Sequence, residues 1–166
     1  MHYAVIARIL GVLLMLFSLT MLPPILVSIL YADGATQAFI TAMIVIFGIG
    51  FTSWLPVRQI RQDLRTRDGF LIASLFWLAL GVAGTLPLML AAQPGLSFAD
   101  AFFETTSGLS TTGATVITGL DLLPKSILWY RQQLQWLGGM GVVVLAVAIF
   151  PMLGIGGMQL YKAEVP

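Results

Sequence analysis

The chain has 166 residues, of which 58% are hydrophobic and 9% are charged. A soluble domain averages about 45–50% apolar and about 25% charged residues, so this composition excludes an ordinary soluble domain and indicates an integral membrane protein. Eight Lys and Arg face seven Asp and Glu, a balance that gives no indication of a nucleic-acid partner. The sequence contains no cysteine, which excludes disulfides and thiolate metal sites.

Four apolar stretches are long enough to cross a bilayer, and they lie at about 9–31, 36–55, 70–92 and 129–153. Crossing the hydrocarbon core takes roughly 20 helical residues. We predict helices, because lipid offers no hydrogen-bond partner to an open backbone. Three prolines fall within or near the ends of these spans, and we expect kinks there, not breaks. They are Pro23, Pro24 and Pro87.

The linker between the second and third spans is rich in arginine. Loops with an excess of Lys and Arg stay cytoplasmic, so we predict that this linker and both chain termini are cytoplasmic. Lys125 and Arg131 fall on the outer side and do not fit the rule. An alternative is that the linker forms a docking surface for a cytosolic subunit. Its arginines are Arg58, Arg61, Arg65 and Arg67.

A segment between the third and fourth spans is too long for a turn and too apolar for a solvated loop. Ser97 is followed three residues later by Asp100, a spacing that resembles a capping box at a helix start. Gly108 is a natural helix stop. The predicted helix, at about 97–108, is too short to cross the membrane. We therefore predict a half-helix that enters the membrane from outside.

The stretch after this half-helix, at about 110–116, is rich in Ser, Thr and Gly and carries no charge. Extended backbone at membrane depth is tolerated only where protein buries it or where it lines a watery path. Backbone carbonyls there can replace the water around a K⁺ ion, and Gly113 can supply the unusual backbone angles that this requires. The alternative is an external loop that folds over the helix ends.

Two carboxylates lie one helical turn apart in the half-helix. We expect Asp100 to cap the helix, and Glu104 to brace the following strand or to meet a cation at its mouth. They could instead form an acid–base pair. The sequence has no constellation of His, Cys or Ser with a base, so we do not expect an enzyme.

The run FFETTSGLSTTGAT at 102–115 resembles the first pore loop of Trk-type (TrkH/TrkG) potassium uptake proteins, which belong to the Trk/Ktr/HKT superfamily. The runs QWLGGMG at 135–141 and FPMLGIGGMQLY at 150–161 resemble the helix that follows this loop. The resemblance covers essentially the whole chain. It implies a K⁺-translocating, channel-like subunit.

The family fold has four helix–pore-loop–helix repeats around one pseudo-fourfold pore, preceded by an extra helix pair. The resemblance therefore implies an all-α membrane protein with four transmembrane helices and one re-entrant pore half-helix with its filter loop between helices 3 and 4. Residues 1–57 would be the extra helix pair, 58–69 a cytoplasmic linker and 70–166 the first repeat. One pore loop of four implies a fragment.

The resemblance also assigns roles to residues of the loop. It implies that K⁺ binds at the carbonyls of Thr111, Thr112 and Gly113, with Ala114 and Thr115 toward the outer mouth. Three further residues are expected to support this filter, namely Asp100, Glu104 and Ser110. Small residues of the last helix are expected to pack closely against neighbouring helices. They are Gly138, Gly139 and Gly141.

The partners that the resemblance implies are the remaining repeats, a second copy in a homodimer, a cytosolic nucleotide-binding regulatory subunit and membrane lipid. The location implied is a bacterial inner membrane. No cofactor is expected in the chain, and K⁺ is the transported ion. Two alternatives stay open, which are a small homotetrameric cation channel with one loop per subunit and a membrane assembly protein that transports nothing.

Overall fold

The computed structural model describes residues 3–60 and 66–152, and these residues form helices joined by short connections. Arg61 and Arg65 of the predicted linker and residue 153 of the fourth predicted span lie outside the described residues. Two short 3₁₀ turns, at Leu55–Val57 and Leu120–Leu122, accompany the α-helices. The α-helices are α1 (Tyr3–Leu19), α2 (Leu22–Tyr31), α3 (Thr36–Trp54), α4 (Thr66–Ala83), α5 (Thr85–Leu90), α6 (Phe98–Leu109) and α7 (Lys125–Met152).

Three stretches of the described residues are long and apolar enough to cross a membrane, at Tyr3–Tyr31, Thr36–Val57 and Leu71–Leu90. They correspond to the first three predicted spans, and the regular structure of the described residues is helical, as the sequence predicts. The fourth predicted span falls on α7. The first stretch contains α1 and α2, and the third contains α5 with most of α4.

Proline kinks the first span, as the sequence predicts, and the kink divides the span into two helices. The interruption separates α1 from α2 at Thr20 and Met21. Pro24 has no N–H, so it cannot donate to the carbonyl of Thr20 four residues earlier. The side chain of Gln133 in α7 donates to that carbonyl instead, at 2.5 Å. One amide thus satisfies the broken backbone and attaches α7 to the first span.

The third span is interrupted in the same way. Pro87 cannot donate to the carbonyl of Ala83, and the helix is interrupted at Gly84, between α4 and α5. The Tyr130 hydroxyl of α7 donates to the Gly84 carbonyl at 2.9 Å. A side chain at Gly84 would collide with Thr105 of α6. The interruption is therefore the point at which α6 and α7 pack against the third span.

The turn between α2 and α3 is tied to the start of α7 by Asp33. One carboxylate oxygen accepts from the Ser28 hydroxyl at 2.5 Å and from the Ala35 N–H at 3.2 Å. The other oxygen accepts from the Ser126 N–H at 2.8 Å, in the first turn of α7. A carboxylate is favourable there because the helix N-terminus carries partial positive charge. Asp33 thus fixes the turn between α2 and α3 to the start of α7.

Asp33→Asn should destabilise the protein in a pH-dependent way. Burial alone raises the pKa of Asp33, but the donors from Ser28, Ser126 and Ala35 outweigh it and hold the pKa below its ordinary value. The contribution of this carboxylate is therefore complete above the ordinary pKa of about 3.9 and is lost as the pH falls through the lower folded value. We expect the variant to lose about 1–3 kcal/mol at neutral pH, since one amide cannot accept on both sides.

The measurement is thermal unfolding, in detergent, of a complete protein carrying this segment. The difference between wild type and Asp33→Asn should shrink as the pH falls below about 4. Asp121→Asn is the matched control, because Asp121 is an exposed carboxylate four residues before the start of α7. Equal and pH-independent losses in the two variants would contradict the role given to Asp33.

Candidate functional site

The helix α6 begins with the capping geometry that the sequence predicts. The Ser97 hydroxyl accepts from the Asp100 N–H at 3.3 Å and donates to the Asp100 carboxylate at 2.7 Å. Asp100 is exposed, and its hydrogen bonds among the described residues are to Ser97. The structure therefore places Asp100 at the start of the helix and away from the loop at 110–116, which it was expected to support.

The end of α6 differs from the expectation that Gly108 stops the helix. The helix continues to Leu109, and Gly108 packs on α7, where an added Cβ would lie 3.0 Å from Cβ of Leu134. The stop comes at Thr111, which has a left-handed φ of 58°. The Thr111 N–H donates to the Gly108 carbonyl at 2.9 Å, and the Thr112 N–H donates to that of Ser107 at 3.0 Å. This pair of bonds is a Schellman motif.

A threonine in the left-handed position of this motif is unusual. Glycine ordinarily takes that position, and a β-branched residue with positive φ is a conformational outlier. The left-handed backbone costs a residue with a Cβ roughly 1–2 kcal/mol. The surrounding contacts must therefore hold Thr111 in place. Sequence reasoning placed the special backbone angle at Gly113 only, and so missed Thr111.

The loop at 110–116 wraps around Ser107. The Gly113 N–H donates to the Ser107 carbonyl at 3.3 Å, and the Ser107 hydroxyl donates to the Ala114 carbonyl at 2.6 Å. Gly113 has a φ of 74°, the left-handed conformation for which glycine is suited. Ser110 shares a hydrogen bond of 2.8 Å with the Thr112 hydroxyl. Ser107 thus organises the loop, a role that the sequence analysis did not assign to it.

The loop presents backbone carbonyls to its surroundings. Residues 110–116 are exposed and carry no charge. Within residues 3–60 and 66–152, the carbonyl oxygens of Thr111, Thr112 and Gly113 accept no hydrogen bond, whereas that of Ala114 does. Backbone groups without partners are not tolerated in contact with lipid.

Glu104 holds the outer end of the loop. Its side chain is 1% exposed, and one carboxylate oxygen accepts from the Thr115 hydroxyl at 2.5 Å and from the Val116 N–H at 2.7 Å. The other oxygen accepts from Arg131 of α7 at 3.0 Å from Nε and 2.9 Å from Nη2. Four donors therefore satisfy a buried carboxylate, which connects α6, the loop and α7.

Arg131, like Ser107, is a site residue that sequence reasoning missed. It was set aside as a basic residue that does not fit the charge rule for topology. Its guanidinium is 11% exposed and pairs with Glu104, 27 positions earlier in the chain. Charged residues at membrane depth are rare and usually paired, so an isolated Arg and Glu near a pore segment are a signal that could have suggested this pair.

Residues 35–166 match the family described as TrkH, cation transport protein. The chain belongs to this family. Its membership confirms the resemblance drawn from the residues at 102–115 and 135–161, and confirms that the chain is not an enzyme.

Relatives of the chain are named as potassium uptake proteins of Trk systems. Over its whole length, it is 64% identical to the Trk system potassium uptake protein TrkH of Halomonas elongata. It is 44% identical over 165 residues to the Trk system potassium uptake protein TrkG of Escherichia coli. The chain spans about a third, 34%, of the length of each.

A solved structure shares the fold. The crystal structure of the potassium transporter TrkH from Vibrio parahaemolyticus superposes with a TM-score of 0.89 at 55% identity. The match covers 98% of this chain and 36% of that one.

Removing the Thr115 hydroxyl should test the brace at the outer end of the loop. Thr115→Val keeps the shape of the side chain but deletes one of the four donors to Glu104. We expect a loss of about 1.5–3 kcal/mol, the usual worth of a hydrogen bond to a charged group. The measurement is thermal unfolding of a complete TrkH-type protein that carries this segment.

Thr106→Val is the matched control. Its hydroxyl donates to the Phe102 carbonyl of its own helix at 2.6 Å, a group that is already part of the helix. We expect that change to cost less than about 1 kcal/mol. A Thr115→Val variant no less stable than this control would show that the hydroxyl does not brace the loop.

Proposed function

We propose that this segment supplies one wall of a K⁺ selectivity filter in a Trk-type uptake protein of the bacterial inner membrane. The observation that carries the proposal is the exposed loop at 110–116. Its carbonyls at Thr111, Thr112 and Gly113 accept no hydrogen bond within the described residues, while Glu104, paired with Arg131, holds its last residue. The names of the relatives, which are potassium uptake proteins, support the same ion.

The chemistry of the loop suits a dehydrated monovalent cation. Carbonyl oxygens of Thr111, Thr112 and Gly113 replace the water around K⁺, and Ala114 and Thr115 lie toward the outer mouth. The C-terminal end of α6 carries partial negative charge, which also favours a cation there. A ring of carboxylates would suit other cations, and residues 110–116 contain none. The Glu104 charge is neutralised by Arg131.

One loop gives one side of a filter. A cation in such a filter is surrounded by carbonyls from several loops around one axis. In our proposal the fourth transmembrane helix is α7, α6 is the re-entrant half-helix, and further repeats of the complete protein supply the other loops. The partners of the complete protein are a second copy, with which it forms a homodimer, and a cytosolic nucleotide-binding regulatory subunit.

Both chain termini are cytoplasmic in this proposal. Two contacts show which parts of the chain lie at the same end of the helices. Arg8 near the start of α1 donates to the Ile60 carbonyl of the Arg-rich linker at 3.0 Å, so these two parts share one side. Asp33 and Ser126 meet on the other side. The basic linker is the cytoplasmic side by the charge rule.

Single cysteines should report this orientation. Gln37 and Gln59 are both exposed and lie near the opposite ends of α3, so a labelling reagent can reach them. In a cysteine-free complete protein, a maleimide that cannot cross membranes should label Gln37→Cys in intact cells and should reach Gln59→Cys only after permeabilisation. Labelling of both positions in intact cells, or of Gln59→Cys alone, would contradict the orientation.

Gly113→Ser should weaken selection of K⁺ without preventing membrane insertion. The nearest atom to an added Cβ is Nε2 of Gln135 at 3.8 Å, so the site has room. The penalty comes from the positive φ, which is unfavourable for a residue with a Cβ. The backbone is expected to relax away from this φ, and the relaxation displaces the carbonyls of the loop. A shift of about 1.4 kcal/mol between the two ions changes their ratio tenfold. We expect a loss of about that size in the ratio of Rb⁺ to Na⁺ uptake by vesicles containing the complete protein.

Ala114→Ser is the control, one residue along. The Ala114 carbonyl is already held by Ser107, so the change should be milder. An unchanged ratio in Gly113→Ser at normal expression would mean that this loop does not form the filter.

A further inference from the structure

Gly138 of α7 lies against the last residue of α6. A Cβ built on Gly138 would overlap the carbonyl oxygen of Leu109, and would lie 2.6 Å from its carbonyl carbon and 2.8 Å from its Cα. Leu109 is buried and immediately precedes the loop at 110–116. The contact is between two backbones, so neither side can relieve it by changing a rotamer. The absence of a side chain at Gly138 therefore sets how closely the end of α6 approaches α7.

We infer that Gly138 is a positioning residue for the filter, and this inference rests on the proposed function. It fixes the inner end of the loop, as Glu104 fixes the outer end. A side chain at Gly138 would push Leu109 away from α7 and displace the carbonyls of the loop. The effect would fall on ion selection and not only on stability.

The turn after Leu109 transmits such a displacement to the loop. Thr111, Thr112 and Gly113 are bonded through their N–H groups to the carbonyls of Gly108 and Ser107, on the last turn of α6. Thr111 already has a strained, left-handed backbone and little freedom to absorb a shift. The loop therefore moves with the end of the helix.

The outer end of the loop cannot move with it. The Val116 N–H and the Thr115 hydroxyl are held by Glu104, which Arg131 fixes to α7. A shift at Leu109 is therefore confined to the few residues between the two anchors. Those residues include Thr111, Thr112 and Gly113, whose carbonyls accept no hydrogen bond from the part of the chain that the structure describes.

The neighbouring glycines of α7 do not share this role. An added Cβ on Gly139 would lie 3.7 Å from the Thr111 methyl group, and one on Gly141 would lie 3.4 Å from Trp77. Both distances allow ordinary contact with a side chain. The sequence pattern treats the three glycines alike, whereas the structure singles out Gly138.

A matched close contact exists far from the filter. A Cβ on Gly50 of α3 would lie 2.7 Å from the carbonyl oxygen of Gly11 in α1. This is also a contact between two helix backbones, and it belongs to the first helix pair. Gly50→Ala therefore serves as the control for the packing cost of Gly138→Ala.

The experiment compares Gly138→Ala, Gly50→Ala and Gly113→Ser in a complete TrkH-type protein carrying this segment. It measures membrane insertion and the ratio of Rb⁺ to Na⁺ uptake in reconstituted vesicles. We expect both alanine variants to insert less well, and only Gly138→Ala to lower the ratio, by about fivefold or more, which corresponds to roughly 1 kcal/mol. The ratio does not depend on yield, so reduced insertion does not obscure it.

Two results would overturn the inference while leaving the proposed function intact. One is a wild-type ratio in Gly138→Ala alongside a lowered ratio in Gly113→Ser. The other is an equal loss of ratio in Gly50→Ala. A wild-type ratio in both Gly138→Ala and Gly113→Ser would instead overturn the proposed function, and the inference with it.

A second variant covers the case in which Gly138→Ala does not insert. Adding Thr111→Gly removes the strain of the left-handed position and lets the turn adjust. We expect the double variant to insert better than Gly138→Ala and to keep a lowered ratio relative to Thr111→Gly alone. A double variant that matches Thr111→Gly in its ratio, or that also fails to insert, would show that Gly138 serves folding alone.

Discussion

A single buried carboxylate connects α6, the loop at 110–116 and α7. Glu104 accepts from the loop through one oxygen and from Arg131 through the other. A buried charge is tolerated only when it is paired and its remaining hydrogen-bonding capacity is used, and here four donors meet that requirement. Removing one partner leaves the others around an incompletely satisfied charge. The helix α6, the loop and the helix α7 therefore behave as one unit, and the candidate filter depends on all three.

The loop is not a conformation that its own sequence favours. Thr111 has a positive φ, and three successive carbonyls lack partners within the described residues. Contacts with the surrounding helices maintain this arrangement, as is usual for strained backbone at functional sites. In the proposed function, K⁺ supplies the missing partner of the carbonyls, so the strain and the unpaired oxygens have one explanation. The first helix pair contributes by fixing α7. The Thr20 carbonyl accepts from Gln133 of α7, and the Asp33 carboxylate accepts from Ser126 in the first turn of α7.

The sequence predicts the local features of this fold well and the long-range ones poorly. Apolar length predicts four spans, three of which are found as candidate membrane spans among the described residues, and the spacing of Ser97 and Asp100 predicts the start of α6. These features depend on residues close together in the chain. The stop at Thr111 overrides the local preference for glycine, because tertiary contacts decide it. Arg131 is misread for a related reason, since its partner is 27 positions away and only the folded chain brings them together.

In the proposed function, Glu104 and Arg131 act as a unit on the geometry of the filter. A double-mutant cycle on the Rb⁺ to Na⁺ uptake ratio tests this coupling, with Glu104→Gln, Arg131→Gln and both changes in a complete protein. We expect each single change to lower the ratio and the double change to lower it no further than the worse single one, a coupling of about 1 kcal/mol or more. If the effects of the two single changes on the logarithm of the ratio simply add in the double variant, the two residues do not act as a unit.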